Sequence, residues 1–230
     1  MGTDLLMEII YSDFPLVISP IFETENQKVI ANLMSHPFCF GGSNFRNSNF
    51  KGFVDSLYLG AFKRSFLKDN HIKFDNIHPD ISEDSDLNYR LIQSGGKVYM
   101  DPDIVVHHLP RESLRSFMKL CFNYGVGRGI FICKHKKFPA IRQLIPIVSF
   151  FIGLLLLSLS FTNTNAMFSL ISLISIYVIL VCFFSIKISS LNLFTKYFIG
   201  FIGSHFYWTL GMIFSPIKYY RNLKNYKKSI

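Results

Sequence analysis

The chain has 230 residues, half of them hydrophobic and 16% aromatic, with 24 Lys and Arg against 15 Asp and Glu. This composition excludes a disordered or collagen-like protein, and the length has room for one soluble domain plus a membrane region or for one larger domain, whereas two full soluble domains would be crowded. All 15 acids lie at or before Glu112, among 10 bases, whereas the 14 bases beyond it meet no acid. A division this sharp argues against a nucleic-acid-binding surface and for an acidic soluble part followed by a basic, membrane-associated part.

Residues 1–10 carry Asp4 and Glu8 and no apolar core, so no cleavable signal peptide is expected and the first part should stay in the cytoplasm. The run FPLVISPIF at 14–22 reads as a buried strand, and residues 25–34 have helical character. CFGGSNFR at 39–46 is a glycine-bearing loop, in which Gly41-Gly42 alone favours a flexible turn over a phosphate cradle. FVDSLYLGAFKRSFL at 53–67 predicts a short strand, a turn at Gly60-Ala61 and a helix from near Lys63.

The stretch ISEDSDLNYRLIQSGGKVYMDPDIVVHH, residues 81–108, is the most informative. Ser82 is a plausible N-cap, Glu83, Asp84 and Asp86 crowd the first turn where the helix dipole favours anions, and Leu87 with Leu91 supplies the inward face. Gly95-Gly96 stops the helix, and KVYM and DIVVHH follow as strands around an Asp101-Pro102 turn. This is a helix-then-strand unit of an α/β domain. Three carboxylates in one turn have a plain explanation in capping. The sharper reading is that one of them faces a cleft as a general base. Asp84-Ser85-Asp86 and Asp101-Pro102-Asp103 also have the Asp-x-Asp spacing that can hold a divalent cation on a diphosphate, with His107 and His108 as possible further ligands.

Leu114, Phe117, Met118, Cys121 and Phe122 then follow helical apolar spacing opposite Arg115, Ser116, Lys119 and Asn123. Such a helix suits the plane of a membrane surface, or a place on its own soluble domain. Residues 144–161 and 166–186 are uncharged and read as a transmembrane hairpin. Lys134, Lys136, Lys137 and Arg142 before it and Lys187 and Lys196 after it place both flanks in the cytoplasm. Residues 197–215 are long enough for a third span, but Gly200, Gly203, His205 and Gly211 fit a re-entrant or interfacial segment equally well. Cys39, Cys121, Cys133 and Cys182 lack zinc spacing and read as free, reduced thiols.

The order of HPFCFGGSNFR, FVDSLYLGAFKRSFL, EDSDLNYRLIQSGGKVYMDP, LPRESLRSF and NYGVGR, from about residue 23 to 128, resembles the family 2 glycosyltransferases of GT-A fold, especially the membrane-bound enzymes of succinoglycan-type exopolysaccharide synthesis. The resemblance implies an α/β chain in three parts. Residues 1–112 would be the C-terminal, acceptor-side part of a GT-A Rossmann-like domain. Residues 113–142 would be an amphipathic interfacial helix and basic linker, and residues 143–230 a region of two to three transmembrane helices with a basic cytoplasmic tail. It further implies inverting transfer of a sugar from a nucleotide diphosphate donor to a lipid-linked saccharide, at the inner membrane of a bacterial-type cell. Ser82-Glu83-Asp84 looks like the family's Thr-Glu-Asp motif, which makes Asp84 the candidate base and Glu83 the group that orients acceptor or base. Arg64 and Arg128 are candidates for the donor diphosphate, and Asp86 is a further substrate-binding candidate.

Two departures accompany the match. Family members begin with a nucleotide-binding half ending in a metal-binding Asp-x-Asp, and about a hundred residues of a domain of usual size are not matched here. The divalent cation, Mg or Mn, is therefore expected only in a complete enzyme, and an N-terminal nucleotide-binding polypeptide is a possible partner. Residues 120–124 read LCFNY where related enzymes have a Q-x-x-R-W-like box, which favours transfer of a single sugar over processive synthesis. The alternative is a non-catalytic, truncated membrane remnant or scaffold of the same family.

Overall fold

A computed structural model describes residues 17–20, 23–40, 50–57, 60–75, 77, 82–101, 103, 105–138 and 141–228. The first described strand, β1 (Val17–Pro20), pairs in parallel with β4 (Val105–His108), Val17 opposite Val105 and Pro20 opposite His108. Between them in sequence, β2 (Gly52–Val54) pairs antiparallel with β3 (Val98–Met100), where Phe53 and Tyr99 stand opposite with ring centroids 5.4 Å apart. Among the described residues the strands thus form two separate two-stranded sheets. Of the expected α/β architecture the described residues, which are mostly helical, show four short strands.

Helix α1 (Glu25–Ser35) opens with a reciprocal cap, the Gln27 amide donating to Thr24 Oγ1 at 3.3 Å and the Thr24 amide to Gln27 Oε1 at 2.9 Å. The short α2 (Arg64–Asp69) lays Phe66 and Leu67 on a small core that also holds Val54, Leu87, Leu91 and Met100. Helix α3 (Glu83–Gln93) supplies Leu87 and Leu91 to that core, and it stops where Gly95 takes φ +88°, as the Gly-Gly pair predicts.

The remaining helices are α4 (Leu114–His135), α5 (Ile145–Ser160), α6 (Thr164–Ile188) and α7 (Phe194–Lys228). Helix α4 runs well past its predicted stripe, and Phe117 and Cys121 of that stripe are buried against α1 and α7 inside the chain. Its contact with α7 is made through small residues. A β-carbon on Gly125 would meet Trp208 backbone, on Gly129 the Ser215 side chain, on Gly211 the Phe122 carbonyl and on Gly203 the Met118 side chain. Partners rise in number together, from Met118 and Gly203 to Gly129 and Ser215, so the two helices run parallel. Gly125-x-x-x-Gly129 and Gly211-x-x-x-Ser215 let their backbones touch.

Helix α7 continues through Pro216, whose nitrogen cannot donate to the Met212 carbonyl one turn back. The Ser215 hydroxyl donates to that carbonyl instead, at 2.6 Å. Residues 197–215 are therefore part of one long helix, with Tyr197, Phe201, Trp208 and Met212 buried.

Helices α5 and α6 occupy the two stretches expected to form a transmembrane hairpin. Asn163 caps α6 by accepting from the Asn165 and Ala166 amides at 2.9 and 3.3 Å. At 1.5 Å per residue α6 is about 37 Å long and α5 about 24 Å, against a hydrocarbon thickness of roughly 30 Å. Among the described residues α6 is the one helix long and apolar enough to cross a membrane. Phe151, Leu155, Ile176 and Ile179 all face outward.

Candidate active site

The three carboxylates of the first turn of α3 are held in three different environments. Ser82, the predicted N-cap, does not cap: its backbone lies in the left-handed region at φ 70°, away from the extended conformation that lets a cap hydroxyl reach the first-turn amides. Asp84 fills part of that role, accepting from the Ser85 amide at 2.7 Å. The capping explanation thus holds for Asp84 itself.

Burial pushes the Asp84 carboxyl above the ordinary aspartate range, the Ser85 amide opposes the rise, the neighbouring charge of Glu83 adds to it, and the guanidinium of Arg128 on α4 opposes it. A half-buried carboxyl with a raised proton affinity and a cation near it has the character of a proton acceptor. Arg128 also lies over the ring of Phe131, with Cζ 5.8 Å from its centroid. It sits between Gly125 and Gly129, so the glycine contact that seats α4 on α7 also fixes where this arginine emerges.

The α3 turn is tied to the segment after β2. The Ser85 and Ser56 hydroxyl oxygens are 3.3 Å apart, and the buried Asn88 amide donates to the Leu57 carbonyl at 3.0 Å. Arg64, the other arginine expected at a diphosphate, stands exposed at the first residue of α2.

Asp86 differs from its neighbours: only 1% of it is exposed. Its Oδ1 accepts from Lys134 Nζ at 2.7 Å and contacts His135 Nε2 at 2.6 Å, and its Oδ2 accepts from Arg90 Nε at 2.8 Å. Burial would raise its proton affinity, but the hydrogen bonds from Lys134 and His135 and the charges of Lys134 and Arg90 prevail and hold the pKa at about 2. Asp86, expected as a substrate-binding residue, has both oxygens engaged by partners inside the fold.

Lys134 also donates to Asp75 Oδ2 at 2.7 Å. Sequence reasoning missed Lys134, His135 and Asp75. The only signal was a basic pair at a helix end, which reads equally well as a membrane flank.

The second Asp-x-Asp is engaged by one lysine, Lys51 Nζ lying 2.9 Å from Asp101 and 3.6 Å from Asp103. His107 and His108 are exposed at the end of β4. Among the described residues no three metal-ligating side chains come together, so these residues do not fit the expected divalent cation. Gly41-Gly42 lies outside the described residues.

The chain is 29% identical over 118 residues to a dolichyl N-acetyl-alpha-D-glucosaminyl phosphate 3-beta-D-2,3-diacetamido-2,3-dideoxy-beta-D-glucuronosyltransferase of Methanococcus voltae, a match covering 51% of this chain and 36% of that protein. It is 33% identical over 66 residues to the succinoglycan biosynthesis protein ExoA of Rhizobium meliloti (strain 1021), covering 29% of this chain and 20% of that one. The chain thus spans well under half the length of either curated relative. No family model and no solved structure matches it. The similarity is to a glycosyltransferase and to a protein of polysaccharide biosynthesis.

Proposed function

We propose that the chain carries the acceptor side of an inverting family 2 glycosyltransferase that moves one sugar from a nucleotide diphosphate to a lipid-linked saccharide at the cytoplasmic face of a cell membrane. The observation that carries the reading is Asp84, a half-buried carboxyl at the start of α3 with raised proton affinity and the Arg128 charge beside it. The similarity to a glycosyltransferase and to a polysaccharide biosynthesis protein supports the reaction class. The length and apolar surface of α6 support a membrane setting.

In this mechanism an Asp84 oxygen takes the proton of the acceptor hydroxyl while the hydroxyl's own oxygen attacks the anomeric carbon. The bond from that carbon to the diphosphate breaks on the opposite face, so the nucleoside diphosphate leaves with the bonding pair and the proton ends on Asp84. Glu83 orients the acceptor or the base.

In-line displacement puts base and leaving group on opposite sides of the reacting carbon. An arginine whose charge falls on Asp84 therefore serves the base, keeping it ionised, and Arg64 remains the candidate for the diphosphate. A divalent cation would supply charge neutralisation of that diphosphate. Its ligands, like the nucleotide site, would come from outside the described residues, on this polypeptide or a partner, and no step here runs through it.

The test is incorporation of label from a panel of radioactive UDP- and GDP-sugars into solvent-extractable lipid, in membranes of cells carrying the gene at its own locus. Incorporation that disappears on deletion and returns with the wild type, but not with Asp84→Asn, is expected. Equal incorporation with and without the gene would overturn the reading.

A further inference from the structure

Asp86 sits two residues after the proposed base, and its surroundings amount to a built junction between three parts of the chain. Lys134 and His135 come from the C-terminal end of α4, Arg90 from the next turn of α3, and Asp75 from the segment ahead of α3. Arg90 also donates to the Lys73 carbonyl at 2.6 Å, and Asp75 Oδ1 accepts from the Ile77 amide at 2.7 Å.

Counted over these groups, the carboxylates of Asp86 and Asp75 balance the cations of Lys134 and Arg90. His135 adds a further polar contact, its Nε2 lying 2.6 Å from Asp86 Oδ1. Two carboxylates and two cations this poorly exposed are costly to bring out of water, and each needs the others in place. Apolar contact flanks them, with Tyr89 of α3 5.0 Å from Phe131 and 4.5 Å from His135 of α4 between ring centroids.

Helix α4 is seated on α7 by its glycines, so the far end of this junction is fixed to the helical body. We infer that Asp86, with Lys134 as its main partner, is a positioning residue that clamps the first turn of α3 onto α4 and so keeps Asp84 beside Arg128. The clamp rests on the reading of Asp84 as the base for its catalytic meaning, but not for its existence. It joins the acid-bearing turn to the membrane-proximal helices through charge, where the rest of the α3 surface joins the small core through Leu87 and Leu91.

The experiment uses the full chain in membranes and in detergent, as wild type, Lys134→Met, Lys134→Arg and Asp84→Asn. Lys134→Met should speed amide hydrogen exchange in residues 83–90 by about tenfold or more while leaving the α4–α7 contact protected, and Lys134→Arg should restore protection. In the transfer assay Lys134→Met should lower kcat on the order of tenfold to a hundredfold with KM nearly unchanged, because a displaced base costs rate rather than binding.

Unchanged exchange in Lys134→Met would overturn the clamp. Faster exchange with full kcat would overturn its positioning role. Full transfer by Asp84→Asn, or none by the wild type, would sink the base reading instead, and exchange would then still decide the clamp. If Lys134→Met does not accumulate, Asp75→Asn, which leaves the Asp86–Lys134 contact in place, should give a smaller rise in exchange at 83–90, and no rise would count against the clamp.

Discussion

Gly125 of α4 lies against the backbone of Trp208 in α7, so close that a β-carbon on Gly125 would meet the Trp208 carbonyl carbon at 2.9 Å. Backbone cannot move aside as the end of a flexible side chain can. Gly125→Ala should therefore destabilise the chain by about 1–3 kcal/mol, as overpacking of tight interiors does. Gly153→Ala on α5 is the control, since nothing stands within 4 Å of its position. Thermal unfolding in detergent compares the two, and equal midpoints would mean that α4 and α7 do not touch as described.

Asp84→Asn should lower sugar transfer by about 10²–10⁴-fold, the usual contribution of a general base. Since burial raises the Asp84 carboxyl, the acid limb of kcat/KM should fall above the ordinary aspartate range. Arg128→Met removes the charge that opposes this rise and should move the limb to still higher pH. A limb that stays in place would detach Arg128 from the base.

Asp86 gives a stability prediction of the opposite sign. Its pKa falls from 3.8 to about 2 in the fold, so its contribution is present above pH 3.8 and fades as pH drops toward 2. The size is about 2 kcal/mol by linkage. Asp84 is easier to protonate in the fold than out of it, so its ionisation costs stability as pH rises past 3.8. Acid unfolding of the wild type against Asp86→Asn reads the first effect, and identical acid transitions would remove Asp86 as their source.

Ile176, in the middle of α6, is 59% exposed on the chain's own surface. A charge there would face hydrocarbon if α6 spans, at a cost of about 2.5–3.5 kcal/mol. Ile176→Asp should leave a larger share of the protein extractable by alkaline carbonate. Unchanged extraction would place α6 elsewhere than across the bilayer.

Much of the local structure was legible from residue type and spacing. Gly95 with Gly96 sets the end at which α3 stops, and the helical character of residues 25–34 foretells α1, whereas the Thr24–Gln27 cap that starts it emerges only from the structure. What eluded the sequence was long-range. Ser82 looked like a cap because serine usually caps, but its left-handed backbone turns that chemistry off. Asp86 looked like a neighbour of Asp84 because the two are adjacent in sequence. On a helix two residues apart point in different directions, and of the groups that claim Asp86 only Arg90 is a helical turn away, whereas Lys134 and His135 lie almost fifty residues on. Gly203 and Gly211 fit a re-entrant or interfacial segment by residue type, and only the fold shows that they line the α4–α7 seam.

The parallel seating of α4 on α7 has a consequence for how the chain comes together during synthesis. Two helices joined by a short turn run antiparallel and can close as soon as both exist. Here Gly125 and Trp208 are about eighty residues apart, and the α5–α6 hairpin has to be made and carried back to the starting level before the seam can form. Until α7 leaves the ribosome, the glycine face of α4 and the apolar side chains around it have no partner. A ribosome stalled anywhere between α6 and the end of α7 would therefore present an open seam, and chaperones or membrane-insertion factors that shield small-residue faces would have their longest engagement with this protein at that stage.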